Sequence, residues 1–167
     1  MSFNLIPDLY LKTFDCLTVE MLNDMGILGI ILDIDNTLEP YEHDTPGEHV
    51  IKWLGELADQ GIKTSIVSNN NAERVATFNS ELRLPAYHYS CKPFTHKLKK
   101  AMRDMGTDKS NTLLMGDQIF TDVWAAHNAG LKAVLVPPIN DKKDAITRFK
   151  RWLEKPLLKK YEKRNRK

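Results

Sequence analysis

From residue 27 onward, the sequence alternates short aliphatic runs with segments in which apolar residues recur at helical spacing. The first run is apolar without polar alternation, which indicates a strand that is buried on both faces. Successive strand and helix units of this kind predict an α/β fold built on a parallel sheet. The predicted strands lie at 27–34, 62–68, 86–90, 112–115 and 131–136, and the predicted helices at 46–60, 71–82, 94–105 and 123–129.

Capping signals mark where some of these helices begin. Thr45 followed by Pro46 predicts a threonine N-cap with proline at the first helical position. Asn70 or Asn71 is a suitable N-cap for the next helix. These signals place both helix starts shortly after predicted strands.

The two ends of the chain extend beyond this alternating region. Residues 1–26 predict an extension of short helices packed on the outside, with Thr18 as a cap. Residues 144–154 predict a terminal helix, and 155–167 form a basic tail. With 167 residues and no repeat or low-complexity linker, the chain is expected to be a single domain over 1–167.

Composition indicates an ordinary globular protein. The chain is 42% hydrophobic and 28% charged, which is enough apolar material for a sizeable core. The N-terminus lacks the pattern of a signal peptide, and the longest apolar run is too short to span a bilayer. Cys16 and Cys91 are widely separated and predict reduced thiols. A cytoplasmic location is therefore expected, with peripheral attachment to a membrane left open.

Charge is distributed unevenly along the chain, although the net charge is only +2. From Lys142 to Lys167 there are 12 Lys or Arg against 3 Asp or Glu, whereas the preceding segment has 12 against 19. Such a basic tail can attract an anionic membrane surface or nucleic acid. A solvated, partly disordered terminus is the alternative interpretation.

Polar side chains collect directly after the predicted strands. Since the carboxyl ends of parallel strands share one edge of a sheet, and ligands bind there, these residues are expected to converge in one crevice. The first strand ends in the segment with Asp33, Asp35 and Thr37, the second in Ser68 and Asn69, the third in the segment with Lys92, and the fourth in Asp117 with Asp122 just beyond.

This set of groups is suited to phosphoryl transfer. Asp33, Asp35 and Asp117 supply hard oxygen ligands of the kind that Mg²⁺ prefers. Asp33 can act as a nucleophile and form an aspartyl-phosphate, and Asp35 can act as general acid and base. Asp35 is expected to ligate the metal through its backbone carbonyl. Ser68 and Asn69 can hold the phosphoryl oxygens, while Lys92 offsets negative charge.

The motifs DIDNT (33–37), SN (68–69), KP (92–93) and GDQIFTD (116–122) resemble the four ordered motifs of the haloacid dehalogenase (HAD) superfamily. They are most similar to those of the YqeG-type class IIIA phosphatases, which also resemble phosphatidylglycerophosphate phosphatases. The resemblance covers roughly 27–136. It implies a HAD-like Rossmannoid three-layer fold and a Mg²⁺-dependent phosphatase. In this chain the nucleophile would be Asp33, the acid/base Asp35, the phosphate ligands Ser68 and Lys92, and the metal ligand Asp117, supported by Asp122.

Short connections predict an essentially capless enzyme. Neither the segment from Thr37 to Pro46 nor the step from the third strand to Lys92 can hold a cap domain, although 39–44 can form a small flap. An open site suits a phosphate carried by a protein, nucleic acid or lipid headgroup better than a small metabolite. A second subunit of a homo-oligomer could equally cover it.

Two non-enzymatic interpretations of the sequence are alternatives to a phosphatase. A receiver-like phospho-acceptor also groups acids, a hydroxyl and a lysine at strand ends, but its accepting aspartate follows the third strand, where this chain has Ser90, Cys91 and Lys92. A binding or assembly protein could keep the fold and use its basic tail to dock on RNA or membrane. The intact pair of Asp33 and Asp35 favours the enzyme.

Overall fold

The computed structural model describes residues 4–140 and 145–165. All strand pairs of its six-stranded sheet are parallel, and the strand order is β1-β6-β5-β2-β3-β4. The strands are β1 (Leu9–Tyr10), β2 (Gly29–Leu32), β3 (Lys63–Val67), β4 (Ala86–Tyr87), β5 (Thr112–Gly116) and β6 (Lys132–Leu135). The α-helices are α1 (Val19–Asp24), α2 (Glu48–Asp59), α3 (Ala72–Asn79), α4 (His96–Met105), α5 (Trp124–Ala129) and α6 (Ala145–Asn165).

The central strand β2 is buried along its whole length, as its uninterrupted apolar sequence predicted. Its alternate residues enter two separate cores. Ile30 and Leu32 join the core packed by α1, α2 and α3, whereas Ile31 joins the core packed by α4 and α5. Full burial of each such side chain contributes roughly 1.5–3 kcal/mol. The result is a three-layer α/β arrangement, which confirms the predicted fold class.

The direction in which the strand order grows reverses at β2. The chain first adds β3 and β4 on one side of β2, then crosses over to add β5 and β6 on the other. A crevice therefore opens beyond the carboxyl ends of β2 and β5, where the two connections leave in opposite directions. This crevice is where the residues predicted to carry the chemistry should meet.

Two of the three predicted helix caps are confirmed. Thr18 accepts a hydrogen bond from Met21 N–H at the start of α1, and Asn71 accepts one from Arg74 N–H at the start of α3. The prediction for α2 is wrong, because that helix begins at Glu48 with Gly47 as its N-cap. The buried carboxylate of Glu39 accepts a hydrogen bond from Gly47 N–H at 2.8 Å, so a distant acceptor replaces the local threonine cap.

The N-terminal extension contains a strand that the sequence did not predict. Leu9 and Tyr10 pair in parallel with β6 and form one edge of the sheet. Hydrogen bonds flank the pairing, from Asp8 N–H to Ala133 O and from Leu11 N–H to Leu135 O. A two-residue strand is too short to produce a periodic hydrophobic signal, which explains why only helices were expected.

The C-terminal helix is longer than predicted. α6 continues to Asn165 and includes Pro156, so 155–165 is helical and the partly disordered alternative is wrong for this segment; 166 and 167 lie outside the described residues. Tyr161 Oη accepts a hydrogen bond from Tyr10 N–H at 3.0 Å, and Arg164 donates one to Pro7 O at 2.9 Å. Even so, no helix among the described residues combines the length and apolar character needed to cross a bilayer.

Candidate active site

Three buried aspartates meet at the carboxyl edge of the sheet. Asp33 follows β2 and Asp117 follows β5, so the pairing of these strands brings the two together. Asp122 joins them from the segment after β5. Each of the three offers a carboxylate oxygen within 4.8 Å of the others.

Asp122 reaches the other acids because the chain makes a π-helical turn at Ile119–Val123, before α5. Its Oδ2 accepts a hydrogen bond from Gln118 N–H at 3.0 Å. Its carboxylate also lies against the backbone of Gly116, where an added Cβ would come within 2.3 Å of Asp122 Cγ. The helix was predicted from 123 onward, so the π turn that folds Asp122 back was not anticipated.

Lys92 supplies the positive charge that the buried acids require. Its Nζ lies 2.7 Å from Asp33 Oδ1 and 2.7 Å from Asp122 Oδ1, and it donates a hydrogen bond to Val67 O at 2.9 Å. The lysine is itself buried. The structure thus brings Lys92 to the aspartates, as the sequence predicted, although in this arrangement its ammonium group is directed at protein oxygens.

The side chain of Asn69 shapes the loop that carries Lys92. Asn69 Oδ1 accepts hydrogen bonds from Lys92 N–H at 2.7 Å and from the Ser90 hydroxyl at 2.6 Å. Ser68 is buried at the end of β3, and its Oγ accepts a hydrogen bond from Asn70 N–H at 3.1 Å. The Asn69 amide oxygen is therefore engaged with the loop, whereas the Ser68 hydroxyl accepts one hydrogen bond and keeps its proton to donate.

Asp35 lies outside the cluster formed by the other three acids. Its Oδ1 accepts hydrogen bonds from Arg74 Nε at 3.0 Å and Nη2 at 2.9 Å, and its Oδ2 accepts one from Asn70 Nδ2 at 3.0 Å. Its side chain is thus not a member of the buried acid cluster, and ligation through its backbone carbonyl stays a prediction. Arg74 had no sequence signal, because an arginine early in a helix is ordinarily a surface residue.

A second unanticipated group comes from α6. Arg151 donates a hydrogen bond from Nη2 to Asp117 Oδ2 at 2.6 Å and another from Nη1 to the Asp117 carbonyl oxygen at 2.7 Å. Arg151 Nη1 also contacts Glu154 Oε2 at 2.9 Å, and Glu154 Oε1 accepts a hydrogen bond from Ile119 N–H at 3.0 Å. In the sequence these two residues stand in a highly basic segment, so nothing distinguished them from solvated charges.

The acids remain short of positive charge despite these partners. Burial raises the pKa of Asp33 to about 7, with Lys92 opposing the shift and Asp122 adding to it. Burial likewise raises the pKa of Asp117 to about 8, reinforced by Asp122 and Asp33 and opposed by Arg151. Burial acts to lower the pKa of Lys92, but Asp122 and Asp33 raise it above its ordinary value. A further cation would relieve this repulsion.

The donor atoms fit a hard divalent cation. Asp117 Oδ1 is buried and has no hydrogen-bond partner among the described residues. An unsatisfied buried carboxylate oxygen is costly unless it is ligated. Together with oxygens of Asp33 and Asp122, it forms a set of carboxylate oxygens of the kind that hard divalent cations prefer.

Two proteins of Bacillus subtilis are similar to this chain in sequence. The protein named "Probable phosphatase YqeG" from Bacillus subtilis (strain 168) is 35% identical over 153 residues, which cover 92% of this chain and 89% of that protein. The 5'-nucleotidase YutF from the same organism is 41% identical over 101 residues, covering 60% of this chain and 38% of that protein.

Structural similarity agrees with the sequence matches. The cobalt-bound form of deoxy-D-mannose-octulosonate 8-phosphate phosphatase (YrbI) from Haemophilus influenzae superposes with a TM-score of 0.56 at 13% identity, covering 82% of this chain and 90% of that one. At this identity the likeness concerns the fold. The model of the haloacid dehalogenase-like hydrolases matches residues 30–136, from β2 to just beyond β6. The chain therefore belongs to the haloacid dehalogenase-like hydrolase family, as its motifs predicted.

Proposed function

We propose that this chain is a Mg²⁺-dependent phosphomonoester hydrolase that acts through an aspartyl-phosphate on Asp33. The observation that carries the proposal is the buried cluster of Asp33, Asp117 and Asp122 with Lys92 at the carboxyl edge of the sheet. Membership of the hydrolase family and the phosphatase names of relatives support it. The raised pKa values of Asp33 and Asp117 further support it, because these carboxyl groups need an added cation if they are to be ionised at the same time.

Mg²⁺ would be held by Asp33, Asp117 and Asp122, with the backbone carbonyl of Asp35 as a further ligand. When bound, the cation neutralises charge on the phosphoryl oxygens and lowers the cost of bringing an anionic ester to three carboxylates. Asp117 contributes most directly, because its buried Oδ1 has no hydrogen-bond partner among the described residues.

Asp33 acts as the nucleophile. A carboxylate oxygen of Asp33 forms a bond to phosphorus while the bond from phosphorus to the ester oxygen breaks. Lys92 fixes this carboxylate through Oδ1 at 2.7 Å and so limits its rotation. Water then attacks the phosphorus of the aspartyl-phosphate, which releases inorganic phosphate and restores Asp33.

Asp35 moves the proton in both steps. It donates a proton to the departing ester oxygen and later removes one from the attacking water. Arg74 fills both acceptor sites of Asp35 Oδ1, whereas Oδ2 accepts only from Asn70 among the described residues and keeps a second site for the transferred proton. Arg74 therefore sets the resting orientation of the acid/base.

Ser68, Asn69 and Lys92 bind the transferring phosphoryl group. The Ser68 hydroxyl accepts from Asn70 N–H and can still donate to a phosphate oxygen. Asn69 contributes through its backbone N–H and through the loop that its side chain holds. Lys92 adds its charge by exchanging one of its present oxygen contacts for a phosphate oxygen.

The substrate we propose is a phosphate carried on a large molecule, and specifically on a lipid. The segments between β2 and α2 and between β4 and α4 are too short for a cap domain. Exposed apolar side chains border the catalytic loops. Tyr89 (58% exposed) and Phe94 (70% exposed) flank Lys92 in the sequence, and Ile139 (48% exposed) donates its N–H to Asn36 O in the loop after Asp35. Such a rim favours contact with an extended surface.

A panel of phosphate esters, assayed with Mg²⁺, tests both parts of the proposal. Asp33→Asn should abolish hydrolysis of every substrate, and equal activity of variant and wild type would refute the nucleophile. A phosphatidylglycerophosphate-like lipid in vesicles should give a higher kcat/KM than free sugar phosphates or phosphopeptides. If a free sugar phosphate is the better substrate, the lipid part fails while the hydrolase part stands.

A further inference from the structure

On the basis of the proposed metal site, we propose that Arg151 is a positioning residue for Asp117, and that docking of α6 and binding of the divalent cation favour each other. Arg151 lies on α6, outside the residues 30–136 that match the family. No motif of the sequence includes it. The C-terminal helix would thus be a working part of the metal site.

The hydrogen bonds of Arg151 immobilise Asp117 at two points. One guanidinium nitrogen donates to Asp117 Oδ2 at 2.6 Å, and the other donates to the Asp117 carbonyl oxygen at 2.7 Å. These two hydrogen bonds fix the Asp117 carboxylate relative to its own backbone and occupy Oδ2. Oδ1 remains buried without a hydrogen-bond partner among the described residues. Arg151 therefore presents one oxygen of Asp117 to a cation and holds the other.

Glu154 fixes the guanidinium in turn. Its Oε2 accepts from Arg151 at 2.9 Å, and its Oε1 accepts from Ile119 N–H at 3.0 Å. Ile119 begins the π-helical segment that carries Asp122. Arg151 and Glu154 consequently contact the backbone of the segment 117–122, which carries two of the three proposed metal ligands.

The balance of charge decides whether Arg151 would assist or oppose a cation. Arg151 is compensated by Glu154, so the pair adds little net charge to the site. Among the described residues in this cluster, four carboxylates face two cationic side chains, which leaves two negative charges without compensation. One divalent cation would balance them. The acids are Asp33, Asp117, Asp122 and Glu154, and the cationic groups are Lys92 and Arg151.

The coupling must act in both directions, because linkage is reciprocal for binding free energies. If docked Arg151 prepares Asp117 for the cation, then the cation must stabilise the docked position of α6. An arginine that instead took the place of the cation on Asp117 would give the opposite sign, with metal loosening the helix. The sign of the coupling therefore separates a positioning residue from a competitor.

Calorimetric titration with Mg²⁺ alone, without substrate, measures the first direction. Arg151→Gln should weaken Mg²⁺ binding by about 10–100-fold, as for loss of other groups that orient metal ligands. Arg151→Lys should bind more tightly than Arg151→Gln, because it keeps one charged donor. Lys159→Gln, at an exposed position of the same helix, removes a positive charge without a docking contact among the described residues; it is the matched control and should bind Mg²⁺ as the wild type does.

Hydrogen exchange measures the second direction. Mg²⁺ should slow amide exchange in the part of α6 around Arg151 in the wild type and in Lys159→Gln, but much less in Arg151→Gln. Near-ultraviolet circular dichroism establishes that each variant is folded, and Arg151→Lys serves if Arg151→Gln is not. Faster exchange in α6 with Mg²⁺, or tighter Mg²⁺ binding by Arg151→Gln, would show competition and overturn the proposal.

Two further outcomes distinguish this proposal from the proposed function. Equal Mg²⁺ affinity in wild type and Arg151→Gln, with hydrolysis that depends on Asp33, overturns the role of Arg151 alone. A wild-type protein that binds no Mg²⁺ and hydrolyses no ester overturns the proposed function, and the coupling fails with it.

Discussion

The carboxylate of Asp122 lies against the backbone of Gly116, in the space that a side chain at position 116 would occupy. A Cβ on Gly116 would lie 2.3 Å from Asp122 Cγ and 2.4 Å from its Oδ2. Gly116 ends β5, and the π-helical turn that follows it returns Asp122 to the strand end. The acid can therefore occupy its buried position beside Lys92 only if the strand ends in glycine.

Gly116→Ala should displace Asp122 and damage the site. Because backbone and carboxylate cannot both keep their positions, we expect a loss of roughly 1–3 kcal/mol in the free energy of unfolding, together with a large fall in kcat/KM. Urea unfolding and phosphatase assays measure the two effects. Gly55→Ala in α2, where an added Cβ meets nothing within 4 Å, is the control and should be neutral or stabilising. Wild-type kinetics in Gly116→Ala would show that Asp122 has no need of its present position.

Lys92→Met should leave Asp33 and Asp122 buried without their ammonium partner. Removing one member of a buried ion pair typically costs about 3–5 kcal/mol, and the same change should abolish hydrolysis. Lys99→Met on the exposed face of α4 is the matched control, with little expected effect on either property. Retention of wild-type stability by Lys92→Met at neutral pH would mean that the acids are compensated in another way.

Arg74→Gln should impair proton transfer by Asp35 more than it impairs binding. Loss of the hydrogen bonds from Nε and Nη2 frees the carboxylate, and misplacement of a catalytic group costs about 10–100-fold in rate. The fall in kcat/KM, which reports the steps up to formation of the aspartyl-phosphate, should be large for an alkyl phosphate, whose leaving group needs a proton, and small for p-nitrophenyl phosphate. Arg103→Gln, exposed on α4, is the control. Equal losses of kcat/KM with both esters would contradict an effect on the proton that Asp35 gives to the leaving group.

The pair of His127 and Asp8 should make stability depend on pH. The hydrogen bond to Asp8 raises the pKa of His127, although burial acts to lower it. Burial acts to raise the pKa of Asp8, but hydrogen bonds from His127 and from Ala133 N–H hold it below its usual value. The histidine contribution is present below its unfolded pKa, near 6.5, and is lost as pH rises through its folded value. The aspartate contribution is present above about 3.8 and is lost as pH falls through its folded value.

His127→Gln should therefore destabilise the protein most near pH 5–6, by roughly 0.5–1 kcal/mol, and less at pH 9. Urea midpoints of both proteins across this range measure the difference. His88→Gln, at an exposed position, is the control and should follow the wild-type profile. A constant difference at every pH would mean that packing, and not the ionised pair, is what the substitution removes.

Most of the site could be located from the sequence because its residues follow parallel strands. Asp33 and Asp117 each come at the end of an aliphatic run, and Lys92 comes shortly after the predicted strand at 86–90. The shared edge of a parallel sheet brings the three together whatever the details of the helices. The motif placed Asp122 near them, but it did not predict the backbone turn by which Asp122 returns to the strand end. The π turn depends on the contact with Gly116, which no local pattern reveals.

The sequence by itself determined the layered α/β fold, the family and the convergence of the acids, because the periods of hydrophobic residues and the ends of strands are local properties of the chain. Tertiary structure decided which charges compensate those acids. Arg74 holds Asp35 across 39 residues of sequence, and Arg151 holds Asp117 across 34. Glu154, which fixes Arg151, accepts a hydrogen bond from Ile119 N–H across 35 residues. A charged side chain has no periodic signature, so only the packing of α3 and α6 onto the sheet could show that these were buried partners and not solvated surface charges.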